Sequence, residues 1–315
     1  MKAAVVRSFT APPRYEDFDL PPPRGPEDVV VDVLAAALHP RVRSGASGSH
    51  YADERVLPMI PGIDAVGRLA DGTTVYCVVH DTPFGTMAEQ VVADRRRCVT
   101  LPAHADPAIV AAAMNPAMSS WIALRLRAPI QPGQRVLVLG ATGNAGGMAI
   151  AIARLLGAGH VVGAGRDPAR LAACGADEVV SLAGASGPVG AALASAASEC
   201  DLVLDYLWGP PARDAMVAML TARQDRGKPI TWIQIGSVAG PTMELPSVAL
   251  RSTDLRVIGS GQGSVSIRAI VGELPRLTDE ILAGRIGVEA ARVPLSEVEQ
   301  AWNAPAGGKR IVLVP

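Results

Sequence analysis

The chain has 315 residues, of which 49% are hydrophobic and 19% are charged, and its formal net charge is −1. That length exceeds the roughly 250–300 residues at which a single hydrophobic core stops growing, so we expect a soluble protein of two domains. A charge this close to zero argues against nucleic acid or an anionic membrane as a partner, and no apolar run in the sequence approaches the roughly 20 residues that span a bilayer.

The cysteines Cys77, Cys98, Cys174 and Cys200 are far apart in the sequence. They form no CxxC pair and no cluster with histidine, so the pattern indicates neither a zinc site nor a disulfide framework. Isolated thiols are typical of a reducing compartment, and the opening MKAAVV lacks the long apolar core of a secretory signal. We therefore expect a cytoplasmic protein that holds no metal.

Short apolar runs separated by proline and glycine dominate the first hundred residues, which indicates a β-rich region. The proline-rich segment 11–28 is unsuited to a helix, because proline removes amide donors and restricts the residue before it. The predicted strands here are 3–6, 28–34, 65–69 and 75–79.

From about residue 133 the pattern changes to apolar strands that alternate with alanine-rich helical segments. Repeated βα units predict a parallel sheet that is covered by helices on both faces and joined by right-handed crossovers. The predicted strands are 136–139, 161–164, 178–182, 202–205, 230–235 and 256–259. After them we expect a helix over 268–286 with a break or kink at Pro275, and a closing strand over 310–315.

The most informative segment joins the strand 136–139 to Gly140, Gly143 and Gly146, and a helix predicted over 147–156 follows. Glycines let the backbone turn tightly and approach a pyrophosphate, and the unpaired amides at the helix N-terminus bind its negative charge. This strand–loop–helix order predicts dinucleotide binding, with a tight structural turn as the alternative. The predicted contacts in the loop are Gly140, Thr142, Gly143, Asn144, Ala145 and Gly146.

The end of the second βα strand predicts which dinucleotide is bound. Strands that favour NADH end in an acidic residue for the ribose hydroxyls, whereas this one ends in Gly165 and Arg166. A guanidinium suits the 2′-phosphate of NADPH, and Arg170 lies one turn further on. Asp167 precedes Pro168 and is predicted to cap a helix instead. We therefore predict NADPH; the alternative is that both arginines are simply solvated.

Further motifs extend along nearly the whole chain. They are MKAAVV at 1–6, RSG at 43–45 followed by Tyr51, LPMIPGIDAVGRL at 57–69, PFGTMAEQVV at 83–92, IQPGQRVLVLGATGNAGG at 130–147, GADEVV at 175–180 and GGKRIVLVP at 307–315. In this order they resemble the zinc-free quinone oxidoreductase (zeta-crystallin-like) branch of the medium-chain dehydrogenase/reductase superfamily. The set is more specific than the glycine loop alone.

By this resemblance the fold is α/β, with a GroES-like β-barrel catalytic domain and a Rossmann domain built on a doubly wound parallel sheet. The catalytic domain takes residues 1–113 and is completed by 267–315, and the Rossmann domain takes 114–266. The substrate is expected in the cleft between them. Relatives often pair through edge strands of the Rossmann domain, so we expect a homodimer formed through Thr231–Gly236 and Met243–Arg251.

The resemblance also implies a reaction without metal. Zinc-dependent relatives carry cysteine in the region of 38–42 and a Gly-His-Glu triplet near 62–64, whereas this chain has neither of them and no four-cysteine structural lobe. Without thiolate and imidazole ligands, a metal-polarised alcohol oxidation is not expected. What remains is direct hydride transfer from NADPH to an acceptor that is already electrophilic, a quinone or an α,β-unsaturated carbonyl.

Candidate catalytic residues follow from the same resemblance. Many zinc-free relatives have Asn-Pro-x-Asp where this chain has His39-Pro40-Arg41-Val42, so the polar anchor near the nicotinamide is partly replaced. His39 is a candidate for that anchor, and a histidine satisfied in the domain core is the alternative. Tyr51 matches a tyrosine of the substrate cleft that hydrogen-bonds an acceptor oxygen or relays a proton, and packing in a short loop is its alternative.

The segment 114–121 is similar to an Asn-Pro motif of enoyl thioester reductases. This similarity implies that Asn115 or Ser119 contacts the nicotinamide carboxamide, with a helix cap as the alternative for Ser119. The carboxyl ends of later strands are further candidates, because parallel sheets bind ligands there. These candidates are Tyr206, Gly236, Ser237, Ser260 and Gly261, and the resemblance adds Lys309 in the closing segment.

We therefore expect an NADPH-dependent oxidoreductase that reduces a quinone or the activated C=C bond of an enone or enal. One alternative is an enoyl thioester reductase, which the Asn-Pro segment suggests. Another is an NADPH-binding redox sensor or partner-binding protein with little turnover, suggested by the altered residues at 39 and 42.

Overall fold

The computed structural model describes residues 1–50, 55–305 and 307–315. These residues form two compact units, each of which contains a large β-sheet. The first unit comprises Met1–Asn115 together with Leu274–Pro315, and the second unit comprises Pro116–Glu273. The second unit is therefore an insertion in the sequence of the first.

The strands and helices follow one another along the chain. Up to the start of the second unit they are β1 (Lys2–Val5), β2 (Arg14–Asp17), β3 (Asp28–Ala37), α1 (Pro40–Ala46), β4 (Asp64–Arg68), β5 (Thr74–Val78), β6 (Gln90–Asp94), β7 (Cys98–Thr100) and α2 (Pro107–Ile122). The Rossmann-type elements are β8 (Arg135–Leu139), α3 (Asn144–Leu155), β9 (His160–Gly165), α4 (Pro168–Ala173), β10 (Glu178–Ser181), α5 (Ser186–Ala197), β11 (Leu202–Asp205), α6 (Gly209–Ala222), β12 (Ile230–Gln234), α7 (Ser247–Ser252) and β13 (Leu255–Gly259). They are followed by α8 (Ile267–Leu282), β14 (Ala290–Pro294), α9 (Val298–Ala301) and β15 (Arg310–Val314).

β3 is the centre of the large sheet in the first unit. The strand order is β14-β15-β3-β4-β5-β7, and β3 pairs antiparallel with β4, β6 and β15. Its side chains alternate between core and solvent, since Val31 and Val33 are buried while Asp32 between them is exposed. β3 ends beside β15 and α1 begins at Pro40, so Leu38 and His39 connect a buried strand to a helix.

The sheet of the second unit is parallel throughout and has the strand order β10-β9-β8-β11-β12-β13. The chain moves outward from β8 to β10, returns to β11 beside β8 and then moves outward to β13. Val136–Leu139 in β8 are completely buried, as expected of a strand covered on both faces. The doubly wound α/β prediction is confirmed, and the reversal between β8 and β11 is the place where such sheets bind ligands.

The start predicted for α3 and the break predicted in α8 are both wrong. Helix α3 begins at Asn144, before the predicted residue 147, because Gly143 is its extended N-cap and the residues after it are already helical. Helix α8 does not break at Pro275 but continues to Leu282. Its residues Leu274, Leu277 and Ile281 are buried at helical spacing, so core packing outweighs the amide donor that proline removes.

The strand predicted to join two protomers is an interior strand. β12 pairs with β11 on one side and with β13 on the other, so Thr231–Gly236 offers no free edge, and Met243–Arg251 contains helix α7 rather than a strand. Among the strands that the structure describes, the edges of this sheet are β10 and β13.

One helical segment is longer and more apolar than the sequence analysis recognised. Pro107–Arg127, which joins α2 to a π-helical turn at Ala123–Arg127, spans 21 residues and would be long and apolar enough to cross a membrane. In the structure, 72% of its most apolar stretch is buried within the protein. That is the burial of a core helix.

Candidate cofactor and active site

The glycine loop between β8 and α3 is closed so tightly that side chains are excluded from part of it. Gly140 has a φ of +97°, a backbone conformation that favours glycine. A Cβ atom on Gly146 would lie 2.1 Å from the carbonyl oxygen of Gly140, so only glycine fits there. A Cβ atom on Gly143 would meet only that same oxygen, at 3.4 Å, and the space above it is open.

The first turn of α3 carries amides with no partner in the described part of the chain. Gly143, the N-cap, makes no side-chain cap, and the first bond of the helical ladder runs from the Gly147 amide to the Gly143 carbonyl, 2.8 Å. The amides of Asn144, Ala145 and Gly146 are therefore available to an external acceptor. An open glycine loop with free amides at a helix N-terminus fits the pyrophosphate of a dinucleotide.

The carboxyl end of β9 lies beside this loop. A Cβ atom on Gly165 would lie 2.5 Å from Thr142 Cγ2, so Thr142 packs directly on the strand end. Arg166 follows and is exposed, while Arg170 Nη2 donates to Asn144 Oδ1 at 3.3 Å. Asp167 accepts from the Arg170 amide and caps α4, as predicted. Two guanidinium groups thus lie on the side of the loop where the adenosine ribose of a dinucleotide binds. The acid of this turn, Asp167, is already bonded as the cap of α4.

Tyr206 lies at the point where the strand order reverses. A Cβ atom on Gly140 would lie 3.2 Å from Tyr206 Cβ, and one on Gly236 would lie 2.8 Å from the Tyr206 carbonyl oxygen. The Tyr206 hydroxyl is 2.9 Å from Ser119 Oγ, which also donates to the Pro116 carbonyl. Burial raises the pKa of Tyr206 to about 12. Four predicted cofactor residues, Gly140, Ser119, Tyr206 and Gly236, are therefore neighbours.

Asp205 holds the backbone that presents Tyr206. It is fully buried and accepts hydrogen bonds from the amides of Leu207 and Trp208 and from Trp232 Nε1, at 2.8, 2.9 and 2.8 Å. Burial raises the pKa of this carboxyl group. Trp208 is partly buried and has a φ of +53°, which is unfavourable for any residue except glycine, so these bonds fix a strained turn at the end of β11.

The remaining candidates in the second unit lie beyond β12 and β13. Ser237 is exposed. Ser260 is buried and its amide donates to the Gln234 carbonyl at 2.8 Å, and the Gly261 amide donates to Ser264 Oγ at 2.8 Å. These bonds order the backbone after β13 but add no functional group to the loop.

In the first unit, His39 belongs to a buried chain of polar groups. His39 Nε2 is 3.1 Å from Asp64 Oδ1, and the Tyr76 hydroxyl donates to Asp64 Oδ2 at 2.8 Å. All three side chains are at most 2% exposed. Because a carboxylate only accepts, the neutral histidine carries its hydrogen on Nε2 and keeps a lone pair on Nδ1, which has no partner in the described part of the chain. His39 is therefore buried in the core and bonded through Nε2, while Nδ1 has no partner among the described residues.

Two arginines lie beside the same connection between β3 and α1. Arg310 Nη1 donates to the Leu38 carbonyl at 3.2 Å, and Arg43 Nε donates to the Trp302 carbonyl at 3.0 Å. Burial lowers the pKa of Arg310, the charge of Arg43 lowers it further, and Asp64 opposes them. Sequence analysis missed Tyr76 and Arg310. A charged first residue in the apolar strand RIVLV was the available signal for Arg310.

Three predicted site residues are not connected to these groups. Asn115 is partly buried in α2, and Lys309 is exposed with its Nζ 3.6 Å from Glu289 Oε2. Tyr51 lies outside the described residues. Within the described ranges, no group of three or more His, Cys, Asp or Glu side chains could hold a metal ion.

Comparisons with known proteins agree with this architecture. No family model matches the chain. A protein of Emericella nidulans described as a probable NADPH-dependent quinone reductase is 31% identical, with 100% of both chains covered. A probable oxidoreductase from Mycobacterium abscessus superposes with a TM-score of 0.80 at 26% identity, over 100% of this chain and 99% of that chain. The quinone oxidoreductase of Thermus thermophilus, solved also in complex with NADPH, has the same fold, with a TM-score of 0.79 at 23% identity over both whole chains.

The parallel sheet, the glycine loop and the free helix amides define a dinucleotide-dependent oxidoreductase with a separate mixed-sheet unit. Within that class, the chain belongs to the quinone oxidoreductase branch of the medium-chain dehydrogenase/reductase superfamily.

Proposed function

We propose that this protein uses NADPH to reduce a quinone, or the activated C=C bond of an enone or enal, by direct hydride transfer without a metal ion. The observation that carries the proposal is the glycine loop with free α3 amides, together with strand β9, which ends at Gly165 and is followed by Arg166 instead of an acid. A full-length relative is named an NADPH-dependent quinone reductase, and a shorter match is named an NADPH-dependent alkenal/one oxidoreductase.

The residues of the second unit hold and orient the cofactor in this proposal. The amides of Asn144, Ala145 and Gly146 bind the pyrophosphate, and Arg166 with Arg170 binds the 2′-phosphate. The hydrogen-bonded pair Ser119 and Tyr206 lies at the crevice between β8 and β11, where the nicotinamide half of a dinucleotide binds in such sheets. NADPH, when bound there, supplies the hydride.

Reduction of a quinone or an enone also consumes a proton. Asp64 fixes the orientation of the His39 ring and leaves Nδ1 as the nitrogen that is able to accept or deliver a proton. We assign His39 to carrying that proton on Nδ1 and delivering it to the acceptor oxygen, with Asp64 and Tyr76 as positioning residues. Tyr51 remains the second candidate for the same role.

The test is oxidation of NADPH and of NADH, followed by absorbance, with menadione, a medium-chain enal, a crotonyl thioester and an alcohol–aldehyde pair. Turnover of menadione or the enal with NADPH supports the proposal, and preference for the thioester favours the enoyl thioester alternative, to which a shorter match named a trans-enoyl reductase also points. Because the chain belongs to a family of enzymes, the non-enzymatic alternative is not retained.

A matched pair of variants tests the phosphate contact. Arg166→Ala is expected to raise the KM for NADPH and not that for NADH, because it removes the charge that recognises the 2′-phosphate. Arg256→Ala is the control, since Arg256 is an exposed arginine near the amino end of β13, at the opposite edge of the sheet. Equal effects of the two substitutions would contradict the assignment.

We also propose a cytoplasmic homodimer. All four cysteines are free, which supports a reducing compartment. The edge strand β13 is available for pairing, and Val238, Val248 and Leu250 are exposed apolar side chains of the second unit. Sedimentation at micromolar concentration is expected to give twice the mass of 32.5 kDa, and a single species at that mass would refute the dimer. Cell fractionation tests the location.

A further inference from the structure

The connection between β3 and α1 carries an excess of positive charge that the described residues do not neutralise. We call Leu38, His39, Arg43, Asp64 and Arg310 the β3–α1 junction. Arg310 is only 8% exposed, and it is fixed here because β15 pairs with β3 and the Leu38 amide donates to the Ile311 carbonyl at 2.9 Å. Arg43 is partly buried on α1, where its amide donates to the His39 carbonyl at 3.2 Å. Both guanidinium groups therefore belong to the ordered frame of the first unit.

Neither guanidinium has a counter-ion in the described part of the chain. Among the residues that the structure describes, no carboxylate lies within ion-pair distance of Arg43 or Arg310, and each makes one hydrogen bond, to a backbone carbonyl. Asp64 is the acid that acts on Arg310, but its two carboxylate oxygens are occupied by His39 and Tyr76. Burial without a carboxylate partner lowers the pKa of both arginines. The junction thus holds two positive charges against one negative charge.

The unused hydrogen-bonding capacity lies at the same place. Arg310 Nε is buried and has no partner within the described ranges. His39 Nδ1 also has no partner there, but in the neutral ring it is an acceptor and does not itself bind a carboxylate. Another buried arginine shows the contrast, because Arg223 donates to the carbonyls of four residues: Ser198, Cys200, Lys228 and Pro229. Arg223 Nε also has no partner among the described residues, but the two terminal nitrogens of Arg223 are both bonded to the backbone, whereas Arg310 has one such bond, from Nη1. Arg310 and Arg43 each keep unused N–H donors, and paired N–H donors of a guanidinium bind the two oxygens of a carboxylate.

We propose that the β3–α1 junction binds a carboxylate of the electron acceptor, so that the preferred substrates are quinones or α,β-unsaturated carbonyl compounds that carry an acidic group. This inference rests on the proposed function for the identity of the ligand. The anionic groups of the cofactor have their own candidate partners in the second unit, Arg166, Arg170 and the α3 amides, which is why the junction is assigned to the acceptor.

The experiment compares β-acetylacrylate, an enone with a carboxylate, with its methyl ester, the same enone without the charge. The wild-type protein is expected to give a kcat/KM about tenfold or more higher for the acid, since hydrogen bonds between ions are stronger than those to neutral groups. Arg43→Gln and Arg310→Gln should each lower kcat/KM for the acid about tenfold and change that for the ester by less than about twofold. Arg68→Gln removes an exposed charge from β4 of the same unit and should change neither.

A second variant guards against loss of the fold. Arg310→Lys keeps the charge and is expected to retain most of the preference for the acid, and thermal unfolding of each variant reports on stability. Calorimetric titration of β-acetylacrylate into the wild type and into Arg43→Gln, which alters a partly exposed side chain, measures the site without turnover. Loss of binding in Arg43→Gln supports the proposal.

The outcomes separate this inference from the proposed function. If menadione and the ester are reduced but the acid is not preferred, the junction is not a carboxylate site and the proposed function stands. If nothing is reduced, the proposed function fails. The calorimetric titration then shows by itself whether the junction binds β-acetylacrylate. If the arginine variants weaken NADPH binding instead of acid binding, the anion belongs to the cofactor and the inference is overturned.

Discussion

The cofactor loop of the second unit and the β3–α1 junction of the first unit are built from different chemical groups. The loop presents backbone amides, and its glycines leave no room for a Cβ atom at Gly146. The junction presents side chains that are buried and linked to one another, such as His39 and Asp64, and Asp64 is bonded in turn to the neighbouring Tyr76. We therefore expect the protein to be destabilised by substitutions that add atoms in the loop and by substitutions that remove atoms at the junction.

The largest expected effect is at the junction. Asp64→Ala should lower the free energy of unfolding by about 4 kcal/mol, because two buried donors, His39 Nε2 and the Tyr76 hydroxyl, each lose an acceptor at a cost of about 1–3 kcal/mol. Urea denaturation measures the change. Asp19→Ala, on the exposed surface of the same unit, should stay within about 0.5 kcal/mol of the wild type. A loss no greater than that of the control would mean that Asp64 does not hold the junction together.

In the loop, an added methyl group is expected to cost about 3 kcal/mol. Gly146→Ala would place Cβ 2.1 Å from the Gly140 carbonyl oxygen, and neither backbone segment is free to move. Gly147→Ala is the matched control, since its Cβ would meet only the Ala141 carbonyl oxygen, at 3.7 Å. That substitution should raise stability by about 0.5–1 kcal/mol, as alanine does in a helix. Opposite signs for adjacent glycines in thermal denaturation would confirm the tight approach, and equal signs would contradict it.

Tyr206 is a buried side chain next to the glycine loop, and it adds a pH-dependent contribution to stability. Its pKa is about 12 in the folded protein against an ordinary value of 10. Because the folded state keeps this proton longer, the associated stability is complete below pH 10 and is lost as pH rises to 12, an effect of about 2–3 kcal/mol. The free energy of unfolding, measured from pH 10 to pH 12, should fall more steeply in the wild type than in the Tyr206→Phe variant. Parallel curves would mean that Tyr206 is not shielded from water.

The smallest expected effect on stability is at Gly143. Gly143→Ala has room for its Cβ within the protein and exchanges a glycine N-cap for a poorer one, so the free energy of unfolding should fall by less than about 1 kcal/mol. The same methyl group is added at the N-cap, next to the α3 amides in sequence, and should weaken NADPH binding about tenfold, as measured by fluorescence titration. Unchanged affinity would place the pyrophosphate elsewhere.

These differences explain how much the sequence could predict. The glycine spacing and the apolar strand before it follow local rules, so the loop, the sheet class and the Asp167 cap were predicted from the residues themselves. Tertiary packing decided where the prediction was wrong. Buried leucines carry α8 past Pro275, and β13 covers the edge of β12.

The junction was not predicted, because its members are far apart in the sequence. His39 was a candidate, but nothing local indicates that it pairs with Asp64 or that Tyr76 completes the chain. Arg310 reaches Leu38 only because β15 joins β3, a pairing across most of the chain. Side-chain sites of this kind depend on long-range strand pairing, which residue patterns do not encode locally.

The insertion of the second unit into the sequence of the first has a consequence for synthesis. On the ribosome, all of Pro116–Glu273 emerges before Leu274–Pro315, so the Rossmann sheet can close while the sheet around β3 still lacks β14 and β15. Until β15 is made, the edge of β3 is exposed and Arg310 is missing from the junction. A chain cut short before β15 would have a complete second unit and an incomplete β3–α1 junction.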